Sequence, residues 1–147
     1  MVGPKLTVPL AQLYLEDETA WLDEMARLAG ERRLAELDIE HLSEFLADMS
    51  RRDRREVLSR LTTLLVHLLK WDYQPAQQSN SWRATIVHQR HELRDLLESG
   101  TLLNHAREIL DRAYERALQQ AALETGLEEA AFPPSCPYAL ENVLAEE

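Results

Sequence analysis

The chain has little of what punctuates or staples a fold. Its 147 residues include one cysteine, four glycines and six prolines. A single cysteine excludes an intramolecular disulfide framework and any multi-cysteine zinc site. Most prolines lie near the two ends and β-branched residues are scarce, which leaves long stretches rich in Leu, Ala, Glu and Arg that favour helix. Long apolar runs are also missing. Leu64, Leu65 and Val66 stop at His67, far short of the roughly 20 residues a membrane span requires, so no membrane association is expected. The opening MVGPKLTVPLAQLYLEDE has one lysine, a short apolar stretch broken by Pro9 and no small-residue cleavage site, so no secretion signal is read and a reducing cytoplasm is the expected location. No P-loop, dinucleotide glycine pattern, Gly-x-Ser-x-Gly elbow or His-Glu-x-x-His is present. The reading therefore leans away from an enzyme, names no catalytic residue and implies no cofactor.

What is present suits an all-α fold. The length is that of one domain, and 45% hydrophobic with 29% charged residues lies within the globular range. A helical domain over residues 14–147 is expected, preceded by an N-terminal extension over 1–13. Its form is a compact bundle of four to five main helices plus a short C-terminal helix.

The first helix is predicted from Tyr14 to Ala29, with Tyr14, Trp21, Leu22, Met25 and Leu28 on one face and Gly30 as its stop. Asp38 is placed to cap a second helix, with Leu37 and Leu42 as a hydrophobic staple. Its stripe of Leu42, Phe45, Leu46 and Met49 is followed by a second stripe of Val57, Leu58, Leu61, Leu64, Leu65, Leu68 and Leu69. At 100° per residue the two stripes are centred about 100° apart, so a kink or break is predicted near Ser50. Pro75 and the polar run around it predict a loop from Tyr73 to Asn80. A fourth helix from Ser79 or Ser81 should end at Gly100. Thr101 or Asn104 should cap a fifth, carrying a small seam of Ala106, Ala113 and Ala117 up to Gly126. Pro137 is read as the first residue of a last short helix ending at Leu144.

Charge is distributed unevenly about a formal net of −10. Residues 1–50 carry −7, residues 51–94 carry +5 and residues 95–147 carry −8. In one reading the basic centre pairs with its acidic flanks along the helix seams, each exposed pair contributing about 0 to 1 kcal/mol. In the other, an exposed arginine cluster including Arg51, Arg52, Arg54 and Arg55 binds phosphate. The net charge opposes a nucleic-acid partner, so the first reading is preferred.

The densest chemistry surrounds the predicted loop between the third and fourth helices. His67, Lys70 and Trp71 are neighbours on one helix surface, Arg60 falls on the same border, and Tyr73, Trp82 and Arg83 lie beyond. Two tryptophans flanking a polar loop beside Arg and Lys have the composition of a binding hot spot. The alternative for the same residues is a sealed bundle end in which the aromatic rings are simply buried. These seven residues form the candidate site. Its expected partner is a protein or a second copy of the chain, in an adaptor or antitoxin-like role. The rival is an enzyme or anion site using His67, Lys70 and Arg83 with Arg60. Histidines 88 and 91, and the Asp38/His41 pair, lack the ligand set of a metal centre. Cys136, placed at a predicted helix start, has a lowered thiol pKa as its reactive option but no evident base.

The run SRLTTLLVHLLKWDYQPAQQSNSWRATI resembles the signature of the Domain of Unknown Function 29 family, a group of small bacterial and cyanobacterial helical proteins. The resemblance extends to Trp21, to the Leu37–Asp38 pair and to the closing Cys136, Pro137, Tyr138 and Leu140. It covers about Tyr14 to Leu144. Ser50 stands where relatives often have glycine. The resemblance implies an all-helical fold and carries no activity or catalytic residues.

Overall fold

In a computed structural model that describes residues 8–146, the backbone turns helical immediately after Pro9, whose carbonyl accepts from the Leu13 amide at 2.9 Å. Helix α1 (Leu10–Glu16) stops at Asp17, and α2 (Glu18–Gly30) starts there. Asp17 leaves helical geometry at φ −151° and its carboxylate accepts from the Ala20 amide at 3.1 Å. The single first helix expected from Tyr14 is thus two, begun earlier and divided by an N-cap. Gly30 does not take the left-handed stop position. The amides of Arg32 and Arg33 return to the Ala29 and Leu28 carbonyls at 3.0 and 2.9 Å, and Arg32 is the residue at φ +58°. This is the Schellman closure, with arginine where glycine is the unstrained choice.

Helix α3 runs from Ile39 to Tyr73 without interruption. Of the kink or break expected near Ser50, the break is absent. The conflict between its two stripes is met differently, because the chain divides into two compact units, one ending at Ser50 and one beginning at Arg51, and each stripe serves a separate core. In the first unit Trp21, Met25 and Leu28 are buried, and Leu10, Leu13, Tyr14, Leu37, Leu42 and Phe45 pack against them. Leu37 and Leu42 reach one core as a staple should. Tyr14 meets Trp21 edge-on with ring centroids 4.8 Å apart, and Phe45 lies 5.8 Å away on another side.

In the second unit α3 contributes the buried residues Val57, Leu58, Leu61, Leu64, Leu65, Val66, Leu68 and Leu69. Helix α4 (Asn80–Leu96) begins at Ser79, whose hydroxyl accepts from the Trp82 amide. Residues 74–79 form the connection, with one short 3₁₀ turn at Pro75–Gln77. Arg60 meets Gln89, and Lys70 meets Trp82, so α4 runs antiparallel to α3. Helix α5 (Gly100–Thr125) is capped by Ser99, two residues before Thr101 and five before Asn104, and Gly100 opens this helix instead of closing α4. Its seam of Ala106, Ala113, Ala117 and Ala121 is fully buried, which allows close approach of neighbouring helices. Gly126 ends it at φ +74°. Helix α6 (Leu140–Leu144) starts three residues after Pro137, because the preceding chain remains extended while Phe132, Cys136 and Tyr138 pack on the core. The described residues contain no β-strand, and none of their helices is long and apolar enough to cross a membrane. The all-α class follows directly.

The left-handed arginine gives a direct stability test. Arg32→Gly removes a steric cost of about 1 kcal/mol or somewhat more, partly offset by the freer unfolded chain. The variant is expected to unfold at a higher denaturant midpoint than the parent in a urea titration followed by helicity.

Candidate functional site

The last two turns of α3 and the first turn of α4 bring part of the sequence-predicted cluster together. Lys70 Nζ lies 4.7 Å from the centroid of the Trp82 ring. A lysine over an indole face is attracted by the ring's negative quadrupole, and the contact strengthens when water is excluded. Only 11% of the Lys70 side chain is exposed, and Glu124 of α5 stands 4.0 Å from its ammonium. That contact is a seam pair of the kind expected between the basic centre and the acidic fifth helix. Trp71 is half-buried, and its carbonyl accepts from Gln78 Nε2 at 3.0 Å, which folds the connecting loop back on the end of α3. Tyr73 meets Phe132 edge-on at 5.7 Å and is still 41% exposed.

Other members point elsewhere. His67 Nδ1 donates to the Thr63 carbonyl at 2.9 Å, one turn back on its own helix. Arg60 is committed to α3 and α4. Its guanidinium donates to Glu56 at 2.9 Å and to Gln89 at 3.2 Å, with Glu92 at 3.7 Å. It lines a concavity with Arg52, Arg55 and Ser59. Arg83 instead lines a cavity of about 250 Å³ with Val87, Arg90, His91, Arg94 and Glu146. Arg60 and Arg83 therefore belong to different depressions, and the acid–base cluster the rival reading needs is not assembled around either one.

Two features at this end escaped sequence reasoning. Arg90 is only 9% exposed, and its guanidinium donates to the Val143 carbonyl at 2.9 Å and to that of Asn142 at 3.5 Å. Arg94, one turn on, donates to the Leu144 carbonyl at 2.8 and 2.6 Å and to Glu146 at 2.9 Å. The Val143 and Leu144 carbonyls are acceptors left over at the end of α6, so two arginines of α4 act as its C-terminal cap. The available signal was periodicity, because Arg90 occupies the turn between Ile86 and Leu93 where an apolar residue is expected.

The second feature joins distant segments. Tyr138 donates to Asp72 Oδ2 at 2.6 Å. Burial, followed by that carboxylate, pushes the Tyr138 phenol far above its ordinary value. Tyr114 donates to the Pro133 carbonyl, and burial pushes its phenol up to about 12. Both phenols are structural donors at neutral pH. Cys136 follows the same logic. Burial raises its thiol pKa and outweighs the lowering effect of the Tyr138 backbone, and Sγ donates to the Tyr138 carbonyl at 3.4 Å, a bond only the protonated thiol makes. Because α6 begins only at Leu140, no helix dipole acts on the thiol, and the reactive option read from Pro137 is removed.

The first unit contains a comparable junction. Asp38 Oδ2 accepts from Trp21 Nε1 at 3.2 Å and from His41 Nδ1 at 2.8 Å, while Oδ1 faces the His41 amide at 3.4 Å as the cap of α3. The Tyr14 ring covers the imidazole, centroids 4.4 Å apart. Among the described residues, no three His, Cys, Asp or Glu side chains are grouped so as to hold a metal ion.

Residues 13–147 match the model of one protein family, Domain of unknown function DUF29. No curated protein and no solved structure matches the chain.

Asp38 carries the pH test. Burial opposes its ionisation, but the hydrogen bonds from His41 and Trp21 outweigh burial and hold the carboxyl below its ordinary range. A carboxyl depressed on folding contributes stability that is complete above its unfolded value of about 3.9 and is lost as pH falls through the folded value. Asp38→Asn is expected to unfold at lower urea than the parent at pH 7, with the gap narrowing at pH 3. An unchanged gap would assign the destabilisation to packing alone.

Proposed function

The chain belongs to the Domain of unknown function DUF29 family, and on that premise we propose that it works by binding a protein partner through the end of α3, the 74–79 connection and the start of α4. The observation that carries this reading is the unusual combination at Trp82. Its half-buried ring holds the Lys70 ammonium at 4.7 Å beside a connection whose Pro75, Ala76, Gln77, Gln78 and Ser79 are all exposed. Aromatic residues fixed by neighbours, flanked by a cation and bordered by polar backbone, suit a recognition surface because little side-chain entropy remains to be lost on binding. Tyr73, exposed at 41%, extends the same surface. The division of Arg60 and Arg83 between separate depressions argues against the enzyme reading.

The acidic stretches before and after the centre favour a basic partner, since complementary charge raises association rates more than final affinity. An adaptor or neutralising role fits a small acidic chain of this kind, and self-association through the same surface is the simplest variant.

The test is comparative. Tagged parent and a Trp82→Ala, Arg83→Ala double variant, matched for helicity, are used to capture proteins from native lysate. The proposal expects at least one abundant partner, or the chain itself, to be recovered by the parent and lost with the double variant. Identical recovery by both would remove this surface from consideration.

A further inference from the structure

The polar side of α3 presents a second candidate site, in a different place and with different chemistry. Two depressions of about 410 and 520 Å³ flank the helix. The first is closed on its far side by Arg116 and Gln120 of α5, the second by Gln89 of α4. Both share Arg55, Ser59 and Thr63, so they adjoin along the α3 ridge as the two lobes of one grooved surface. Arg52 and Arg60 complete the second lobe.

The charge balance of this groove is opposite to that of the chain. Its walls carry four arginines, Arg52, Arg55, Arg60 and Arg116, against one carboxylate, Glu56. Arg60 Nε neutralises that carboxylate at 2.9 Å. Arg52, Arg55 and Arg116 make no hydrogen bond or ion pair among the described residues. In a protein with 26 acidic residues, three arginines left unpaired around one depression call for an anionic occupant. The net charge does not prevent this, because at physiological ionic strength charges more than about 8 Å away are largely screened.

The lining narrows the chemistry. The side chains end in guanidinium, hydroxyl and carboxamide groups and the one Glu56 carboxylate, and Leu58 alone is wholly apolar. Guanidinium groups match phosphoryl oxygens in a two-point fork that no point charge reproduces. The Thr62 and Thr63 hydroxyls already donate to the Leu58 and Ser59 carbonyls at 2.8 and 3.1 Å. The Ser59 hydroxyl and the Gln120 amide have no such commitment, so donors remain beside the free arginines. A single phosphoryl group can occupy one lobe only. Linked phosphoryl groups can cross the ridge at Arg55 and engage Arg116 on one side and Arg52 on the other.

We propose that this groove is a binding site for a ligand bearing two or more linked phosphoryl groups, centred on Arg55 and Ser59 and closed by Arg52 and Arg116. The shared chemistry is the diphosphate, whether free or as part of a nucleotide.

Isothermal titration of the full chain with inorganic pyrophosphate, orthophosphate and adenosine diphosphate, at about 50 mM salt where exposed charges are weakly screened, tests the assignment. Pyrophosphate is expected to bind saturably with one site per chain and at least about tenfold more tightly than orthophosphate, because two phosphoryl groups engage forked donors in both lobes. Adenosine diphosphate binding more tightly than pyrophosphate identifies a nucleotide as the source, and weaker binding identifies the free anion. Arg55→Gln and Arg116→Gln should each weaken pyrophosphate about tenfold or more. Both positions are exposed, and glutamine has similar helix propensity, so helicity is retained. Arg112→Gln, exposed on α5 and not part of the groove lining, should weaken pyrophosphate by less than about threefold, because it removes a nearby charge but no direct contact with the ligand. Absence of saturable binding by either diphosphate, or equal losses from Arg112→Gln and Arg55→Gln, overturns the proposal.

Discussion

The second half of α3 has to be surrounded, and the rest of its unit follows from that requirement. Val57, Leu61, Leu64, Leu65, Val66 and Leu69 have no exposed surface, and Leu58 and Leu68 have little. At 100° per residue these positions cover an arc of about 200°, wider than the stripe of an ordinary surface helix. One neighbouring helix cannot cover it. Helices α4 and α5 meet α3 through Arg60, Lys70 and their partners, and the returning chain adds Phe132, Leu140 and Val143 to the same core. Each large side chain so buried is stabilised by about 1.5 to 3 kcal/mol relative to exposure. The cost is that the end of α6 comes to rest beside α4, with carbonyls that need donors. Arg90 and Arg94 supply them.

The same constraint sorts the polar chemistry. With about half of the helix circumference given to the core, the polar residues of α3 collect on the remaining arc: Arg52, Glu56, Ser59, Thr63, His67 and Lys70 recur there at three- and four-residue steps. Toward the C-terminal end this arc is closed by contacts, Lys70 on Trp82 and Gln78 on the Trp71 carbonyl. Toward Arg52 it stays open, and the depressions on either side keep arginines without carboxylate partners. One helix thereby carries aromatic groups at its end and arginine-lined depressions along its side.

Much of this architecture can be read from the residues. Asp38 caps α3 and Gly126 closes α5 at positive φ because the local chemistry leaves few alternatives. The leucine stripe and the alanine seam are periodic enough to fix which faces are buried. What could not be read depends on tertiary partners. The 100° offset between the stripes of α3 correctly signals that they cannot share one core, yet a break at Ser50 is only one solution, and the chain instead gives each stripe its own core. Arg90 reads as a charge on a surface helix until the α6 carbonyls arrive from more than fifty residues away. Tyr138 and Asp72 lie in separate parts of the family-like pattern, and only folding shows that they form one hydrogen bond. The candidate site was partly legible. Lys70 and Trp82 meet, but Arg60 and Arg83 diverge, because helical spacing orders residues along one element and says nothing of which neighbour claims them.

The central claim is that α3 is one continuous helix serving two cores of unequal strength. Residue-resolved native-state hydrogen exchange measures this directly, since amides report the free energy of the opening that exposes them. Amides of Val57–Leu69 should exchange only through the costliest opening, together with those beside the buried alanines of α5. Amides of Leu42–Met49 should exchange through a separate, lower-energy opening shared with α2. A single uniform protection level along all of α3, or an unprotected break around Ser50, would contradict the account.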